Sequence, residues 1–72
     1  MINKLFITIC ASKDGFGAFS ENCEGIYAAG ETIADTKADV LEAIRLIQEN
    51  IPKERWPEII KGEYTIEWLY DE

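Results

Sequence analysis

The chain has 72 residues, of which 47% are hydrophobic, and its fourteen acidic and seven basic residues give a net charge of −7. This composition predicts one folded domain with a small core and is not that of a disordered chain. The acidic balance argues against independent nucleic-acid binding, which needs a basic surface, and favours a basic partner.

The first part of the chain predicts three strands joined by turns. Residues 3–11 carry apolar side chains on both faces, which is typical of a central strand. Ser12-Lys13-Asp14-Gly15 predicts a hairpin turn in which Gly15 adopts a positive φ. Residues 16–21 form the returning strand, and residues 26–29 form a short, largely apolar third strand.

A long amphipathic helix is predicted from about Ile33 to Asn50. Thr32 has the position and chemistry of an N-cap, and Asp35 lies in the first turn. One stripe of the helix is apolar apart from Lys37 and is expected to face the sheet: Ile33, Val40, Ile44, Ile47 and Ile51.

The last part of the chain predicts a further strand. Pro52 and Pro57 end the helix and bound a loop, which leads into a turn at residues 58–61 closed by Gly62. Tyr64, Ile66, Trp68 and Tyr70 then alternate with other side chains, as in a half-buried strand. The complete pattern predicts an α+β fold of order βββαβ: a three-stranded antiparallel meander, one main helix packed on the sheet, and a C-terminal strand.

Residues that could perform catalysis are scarce. The chain has no histidine, and neither Ser12 nor Ser20 is accompanied by a base. Asp35 and Asp39 share a helix face and could bind a divalent cation, but at positions opposite the core they are expected to be solvated. The sequence therefore predicts no enzyme, no cofactor and no metal site.

The cysteines and the N-terminus indicate the compartment. Cys10 and Cys23 are predicted to lie about 13 Å apart across the hairpin, beyond the roughly 7 Å that a disulfide can bridge. No apolar run approaches the roughly 20 residues of a membrane span, and Met1-Ile2-Asn3-Lys4 leads directly into a strand without a signal-peptide core. We expect a cytoplasmic protein with both cysteines as small, buried or half-buried side chains.

Short motifs follow one another from residue 16 to residue 44, and a matching tail covers residues 61–66. In order they are Phe16, Ala18 and Phe19; Gly25; Ile26 and Tyr27; Gly30-Glu31-Thr32; and Glu42-Ala43-Ile44. This succession resembles the core signature of the HicB family, the antitoxins of HicA-type ribonuclease toxins. The chain departs from the family at Glu21 and Glu24, where proline is frequent, so the turn between the second and third strands is less rigid.

The resemblance implies both a fold and a function. HicB-like domains have a partial ribonuclease-H-like fold in which the helix lies across the sheet. HicB antitoxins bind HicA, a small toxin with a double-stranded-RNA-binding fold that cleaves mRNA, and cover its active surface. Many also carry a C-terminal DNA-binding domain that represses their operon. This chain stops at Asp71-Glu72 with no such domain, so autorepression is not expected.

Two functions from different classes therefore remain open. The first is an antitoxin-type module of a type II toxin–antitoxin system, which inhibits a HicA-like toxin by direct binding. The alternative is an orphan HicB-like domain that serves as an oligomerisation or scaffold module. They differ in whether the neighbouring reading frame encodes a short basic protein with a Gly-Ser-His motif.

The expected contacts to a basic toxin combine acidic side chains with apolar anchors: Glu21, Glu24, Tyr27, Asp35, Asp39, Glu42, Leu46, Glu49 and Trp56. Leu46 is either such an anchor or a single exposed apolar residue. Trp56 either binds a partner or folds back to cap the core, and in the second case Trp68 faces inward from the sheet. The expected structural positions are Gly15, Gly25, Gly30 and Thr32. The thin core also predicts a homodimer or higher oligomer, formed through an uncovered strand edge at residues 26–29 or 64–70.

Overall fold

The computed structural model describes residues 2–71 and contains a four-stranded mixed sheet with one helix packed on it. The α+β class predicted from the sequence is confirmed. Two short 3₁₀ turns, at Lys53–Arg55 and Glu58–Ile60, occupy the segment between the helix and the last strand. The main elements are β1 (Asn3–Ser12), β2 (Gly15–Ser20), β3 (Tyr27–Gly30), α1 (Ile33–Asn50) and β4 (Tyr64–Asp71).

The strands lie in the order β3-β2-β1-β4. β1 pairs antiparallel with β2, which pairs antiparallel with β3, so the first three strands form the predicted meander. β4 lies on the other side of β1 and runs parallel to it, with Asn3 beside Tyr64. β1 is therefore central, as its two apolar faces predicted, and β3 and β4 are the two edges.

The core lies between the sheet and α1. Because side chains alternate along a strand, Leu5, Ile7 and Ile9 of β1 all point towards the helix. Trp56 and Ile59, from the segment that contains the two 3₁₀ turns, pack against the same core. Apolar burial of this kind is the main favourable contribution to the folding of a small domain. The buried apolar residues are Leu5, Ile7, Ile9, Ala18, Cys23, Ile26, Val40, Ile44 and Ile60.

The predicted apolar stripe of α1 is buried only in its middle. Val40 and Ile44 are buried, but Ile33 is 37% exposed and Ile51 is 39% exposed, because each lies at an end of the helix beside an open cleft. Thr36 is instead fully buried, which the stripe did not predict. Its hydroxyl donates a hydrogen bond to the Thr32 carbonyl at 2.8 Å, which satisfies the only polar group that it brings into the core.

The junction between β3 and α1 is tight. The Thr32 hydroxyl accepts a hydrogen bond from the Asp35 N–H at 3.0 Å, which confirms the predicted N-cap. A Cβ on Gly30 would lie 2.7 Å from the Thr36 nitrogen, so glycine is required there by close approach and not by an unusual φ. Gly30 is therefore a structural position, as expected from the sequence, and the close approach of α1 is the reason.

Two other glycines have positive φ. Gly15, at +153°, opens β2 and would place a Cβ 2.4 Å from the Gly30 carbonyl oxygen, so it is fixed by both conformation and space. Gly25, at +87°, lies in open space before β3 and is required by conformation alone. Both cysteines have free thiols. Within residues 2–71 no helix is long and apolar enough to cross a membrane.

Candidate protein-binding surfaces

The face of the sheet opposite α1 is uncovered and apolar. Cross-strand pairing places Tyr27 beside Phe19, Phe19 beside Thr8, and Thr8 beside Leu69, which forms one row across all four strands. Tyr27 is 75% exposed, Leu69 41% and Phe19 36%, whereas their neighbours on β1 are largely covered. We call this surface the open face; its members are Phe6, Thr8, Cys10, Phe19, Tyr27 and Leu69.

The β4 side of the open face carries charge. Glu67 lies beside Phe6, and its carboxylate is 4.0 Å from the ammonium group of Lys4. Asp71 lies beside Cys10, whose thiol donates to the Asp71 carboxylate at 3.8 Å. Burial and the adjacent Asp71 charge both raise the pKa of the Cys10 thiol, so the thiol stays protonated at neutral pH. The open face is thus an apolar row with an acidic margin.

Asn22 anchors the loop that joins β2 and β3. Its side-chain amide donates to the Lys4 carbonyl at 2.8 Å and accepts from the Phe6 N–H at 3.1 Å. These bonds satisfy backbone groups of Lys4 and Phe6, which lie beyond the end of β2 and have no strand of residues 2–71 beside them on that side. Glu21 and Glu24 are exposed in this loop, as the sequence predicted. The sequence contains no motif that identifies Asn22 in this role, because it depends on the register of β1 and β2.

An open cleft of about 530 Å³ brings Glu24 and Trp56 together at the C-terminal end of α1. The indole N–H of Trp56 donates to the Ile51 carbonyl at 2.7 Å, and its ring packs against the core. Trp56 therefore caps the core, as one of the two sequence interpretations held, and still lines the cleft. Burial, with the nearby Glu24 charge, raises the pKa of the Cys23 thiol in the cleft wall.

The acids predicted on the outer side of α1 have different surroundings. Glu42 and Glu49 both bond to the guanidinium of Arg45, which lies between them on the helix. The hydrogen bond from Arg45 is the largest effect on Glu42 and lowers the pKa of its carboxyl group, while the same contacts raise the pKa of Arg45. Part of the acidic charge of this face is therefore neutralised within the helix.

Asp39 has a structural contact that the helix pattern did not predict. Its carboxylate accepts a hydrogen bond from the Ala29 N–H at 3.0 Å, on the side of β3 that pairs with no other strand of the described chain. Asp35 is exposed in the first turn, and Leu46, 46% exposed, lies on the outer surface as predicted. Of these two acids, which were expected to be solvated, Asp35 is in solvent and Asp39 is bound to the edge of the sheet. Residues 2–71 contain no group of three or more side chains suited to a metal ion.

The predicted contact residues consequently lie at separate places in the fold. Tyr27 belongs to the open face, Glu24 and Trp56 share the cleft, and the remaining acids are distributed over the loop and α1. The sequence pattern missed Phe19 and Leu69 as exposed neighbours of Tyr27. The two apolar faces of β1 indicated that both sides of the sheet are apolar, but only the register joins these three side chains.

Comparison of the chain with family models, with curated proteins and with solved structures found no match. The functional interpretation therefore depends on the geometry described above and on the motif order in the sequence.

Proposed function

We propose that the chain is a cytoplasmic, non-enzymatic protein-binding module whose partner docks on the open face. The observation that carries this proposal is the row formed by Tyr27, Phe19, Thr8 and Leu69 across all four strands. Tyr27 and Phe19 are adjacent exposed apolar side chains in this row, and exposed apolar side chains that are grouped are characteristic of interaction sites. Tyrosine and phenylalanine are also common in the central part of such interfaces.

The chemistry of the partner follows from charge. The chain carries −7, and acids border the open face at Glu67 and Asp71 and the adjacent loop at Glu21 and Glu24. A basic protein would be attracted to this surface, and complementary charge raises the association rate more than the affinity. Apolar contacts with Tyr27 and its neighbours would supply the slow dissociation.

A toxin of the HicA type fits that description. The motif order in residues 16–44 resembles the HicB family, and HicA toxins are small RNA-cleaving proteins with an RNA-binding surface. Our proposal is that this chain belongs to the HicB-like class and inhibits such a toxin by covering that surface. Of the contacts expected from the sequence, Tyr27, Glu21 and Glu24 are the best placed to bind a partner. The carboxylates of Asp39, Glu42 and Glu49 already bind groups within the chain.

Co-expression with the protein encoded by the neighbouring reading frame tests the proposal. We expect the neighbour to arrest growth when expressed alone, and this chain to restore growth and co-purify with it. Phe19→Ala and Tyr27→Ala should each weaken binding by about tenfold or more, the loss typical of an interface anchor. Leu41→Ala is the matched control, because Leu41 is a large exposed apolar residue on α1.

The orphan oligomerisation or scaffold module is the second candidate. It is favoured by the free edge of β4, which offers a way for copies of the chain to associate. If the neighbouring protein is harmless alone, or does not bind this chain at low salt, the antitoxin proposal is wrong and this second function is the better one.

A further inference from the structure

The cleft at the C-terminal end of α1 has an apolar floor between two walls. Ile47 and Ile51 of α1 and the ring of Trp56 supply apolar surface. Residues 22–25 of the β2–β3 loop form one wall, and residues 55–59 form the other. The volume of about 530 Å³ lies within the roughly 300–1,000 Å³ that is usual for sites that bind small molecules.

Hydrogen bonds within the chain hold both walls in place without a ligand. Asn22 fixes the loop wall through the Lys4 carbonyl at 2.8 Å and the Phe6 N–H at 3.1 Å. On the other wall, the indole N–H of Trp56 donates to the Ile51 carbonyl at 2.7 Å, which sets the orientation of the ring. Because the walls are already ordered, a ligand that binds between them loses little free energy to ordering the protein.

Two opposite charges line the cleft without pairing with each other. They are the carboxylate of Glu24, on the loop wall, and the guanidinium of Arg55, in the first 3₁₀ turn. Within the described chain neither residue belongs to an ion pair. Glu58 also lines the cleft, but its carboxylate lies 3.1 Å from the ammonium group of Lys61. The cleft therefore offers one anion and one cation to a ligand on its apolar floor.

The surroundings of the cleft favour a ligand that carries both signs of charge. Burial and the nearby Glu24 charge raise the pKa of the Cys23 thiol, so Cys23 adds a neutral side chain at pH 7. The last turn of α1 contains no basic residue, so the partial negative charge of the helix end favours an ammonium group. The ammonium group of Lys53 lies 5.9 Å from the centre of the Trp56 ring and adds positive charge beside Arg55.

We propose that the cleft binds a free α-amino acid with a large apolar side chain. The ammonium group of the ligand would bind Glu24, and its carboxylate would bind Arg55. Charge-assisted hydrogen bonds of this kind are stronger than neutral ones, and a guanidinium can donate two parallel bonds to a carboxylate. The ligand side chain would pack on Ile51 and Trp56. The site lies at the end of α1 and needs no partner protein, so the proposal does not depend on the function proposed above.

Two-dimensional NMR titration of the full chain with L-phenylalanine tests the proposal. We expect the indole N–H signal of Trp56 to shift with a Kd of about 1 mM or below, the range of a small ligand that makes a few charged contacts. The indole signal of Trp68 is an internal control, because Trp68 lies on β4 and does not line the cleft. An unchanged Trp56 signal at about ten times that ligand concentration would overturn the proposal.

Two analogues of phenylalanine with one charge each separate the two polar contacts. Phenethylamine lacks the carboxylate and phenylpropionate lacks the ammonium group, so each should bind about fivefold more weakly than phenylalanine, the loss of one exposed ion pair. Equal affinity for all three ligands would overturn the proposal, because the charges would then contribute nothing. If N-acetyl-phenylalanine amide binds as tightly as phenylalanine, the cleft recognises a peptide segment, and the proposal of a free amino acid is wrong.

L-Alanine tests the apolar part of the site. It carries the same two charges as phenylalanine but only a methyl group, so it should bind about tenfold more weakly, since it buries less apolar surface on the floor of the cleft. Equal affinity for alanine and phenylalanine would contradict the assignment of a large apolar side chain.

Substitutions at the two charged residues should affect the two analogues differently. Glu24→Gln should weaken phenylalanine and phenethylamine about fivefold and should not weaken phenylpropionate. Arg55→Gln should weaken phenylalanine and phenylpropionate by a similar factor and should not weaken phenethylamine. Both residues are exposed, so the variants are expected to fold, and circular dichroism checks that they do.

Glu21→Gln is the matched control for these substitutions. Glu21 is exposed in the same loop as Glu24, and it does not line the cleft, so its loss should leave all three affinities unchanged. If Glu21→Gln has the same effect as Glu24→Gln, the effect is one of net charge and the assigned contact is wrong. Equal weakening of all three ligands by Glu24→Gln or by Arg55→Gln would also overturn the assignment, since neither charge would then recognise a particular group of the ligand.

Discussion

The ammonium group of Lys37 lies 5.1 Å from the centre of the Trp68 ring and joins α1 to the edge strand β4. The same group lies 5.6 Å from the centre of the Tyr70 ring. The attraction of a cation to aromatic faces explains why lysine interrupts the apolar stripe of the helix. The helix reaches β4 through this charged side chain and packs mainly on β3 and β2.

Removing the charge of Lys37 should loosen β4. Lys37→Gln keeps most of the length of the side chain and is expected to lower the free energy of unfolding by about 0.5–1 kcal/mol, while Lys37→Arg should retain it. Lys13→Gln, in the turn between β1 and β2, is the control for a general effect of charge. Urea denaturation monitored by tryptophan fluorescence measures the difference, and equal losses at positions 37 and 13 would contradict it.

The N-cap of α1 should be measurable through Thr32. Thr32→Ala removes the acceptor for the Asp35 N–H and is expected to lower the free energy of unfolding by about 1 kcal/mol. Thr32→Ser keeps the hydroxyl and should have a much smaller effect. If the denaturation midpoints of both variants coincide with that of the wild type, the cap does not stabilise the helix.

Close packing at Gly30 gives a third prediction. A methyl group there would lie 2.7 Å from the Thr36 nitrogen and 2.9 Å from the Asp35 carbonyl carbon. Gly30→Ala should therefore lower the free energy of unfolding by about 1–3 kcal/mol, the usual loss for overpacking, and Gly30→Val should be worse. Gly62→Ala is the control, since a Cβ at Gly62 meets no atom within 4 Å. Thermal denaturation of the two alanine variants distinguishes a steric clash at residue 30 from the general effect of replacing a glycine with alanine.

The ion pairs around Arg45 predict a dependence on pH. The folded pKa of Glu42 is lowered from its usual 4.5, so its contribution to stability is present above that value and is lost as the pH falls through the folded pKa. Arg45→Gln should therefore be less stable than the wild type at pH 7, and the difference should shrink towards pH 3. Urea midpoints at pH 7, 5 and 3 test this, and a difference that persists or grows in acid would contradict it.

Local features of the fold could be predicted from the sequence because their causes are local. The bounds of α1 follow from the cap at Thr32 and the breaker at Pro52, and the central position of β1 follows from its two apolar faces. The turn before Gly15 could likewise be predicted from its own four residues alone. In each case neighbours in the chain supply the interaction that fixes the structure.

Features that depend on strands distant in the chain could not be predicted. The helix pattern placed Asp39 in solvent, since no periodicity shows that α1 turns back along β3 and brings this carboxylate to Ala29. Burial of Thr36 follows from the same close approach. The open face also required the register of all four strands, so Tyr27 was identified singly while Phe19 and Leu69 were not.

The parallel pairing of β1 with β4 has a consequence for how the chain folds. Cys10 and Asp71 are 61 residues apart in the chain and yet lie side by side in the sheet. Such distant pairing slows folding, because the entropy of closing a long loop is lost before the contacts form. On the ribosome, the β1–β2 hairpin can form early, but one side of β1 stays unpaired until the residues of β4 emerge. Completion of the sheet is thus a late step in synthesis, and a nascent chain that stalls before residue 64 leaves unpaired one side of the strand that supplies Leu5, Ile7 and Ile9 to the core.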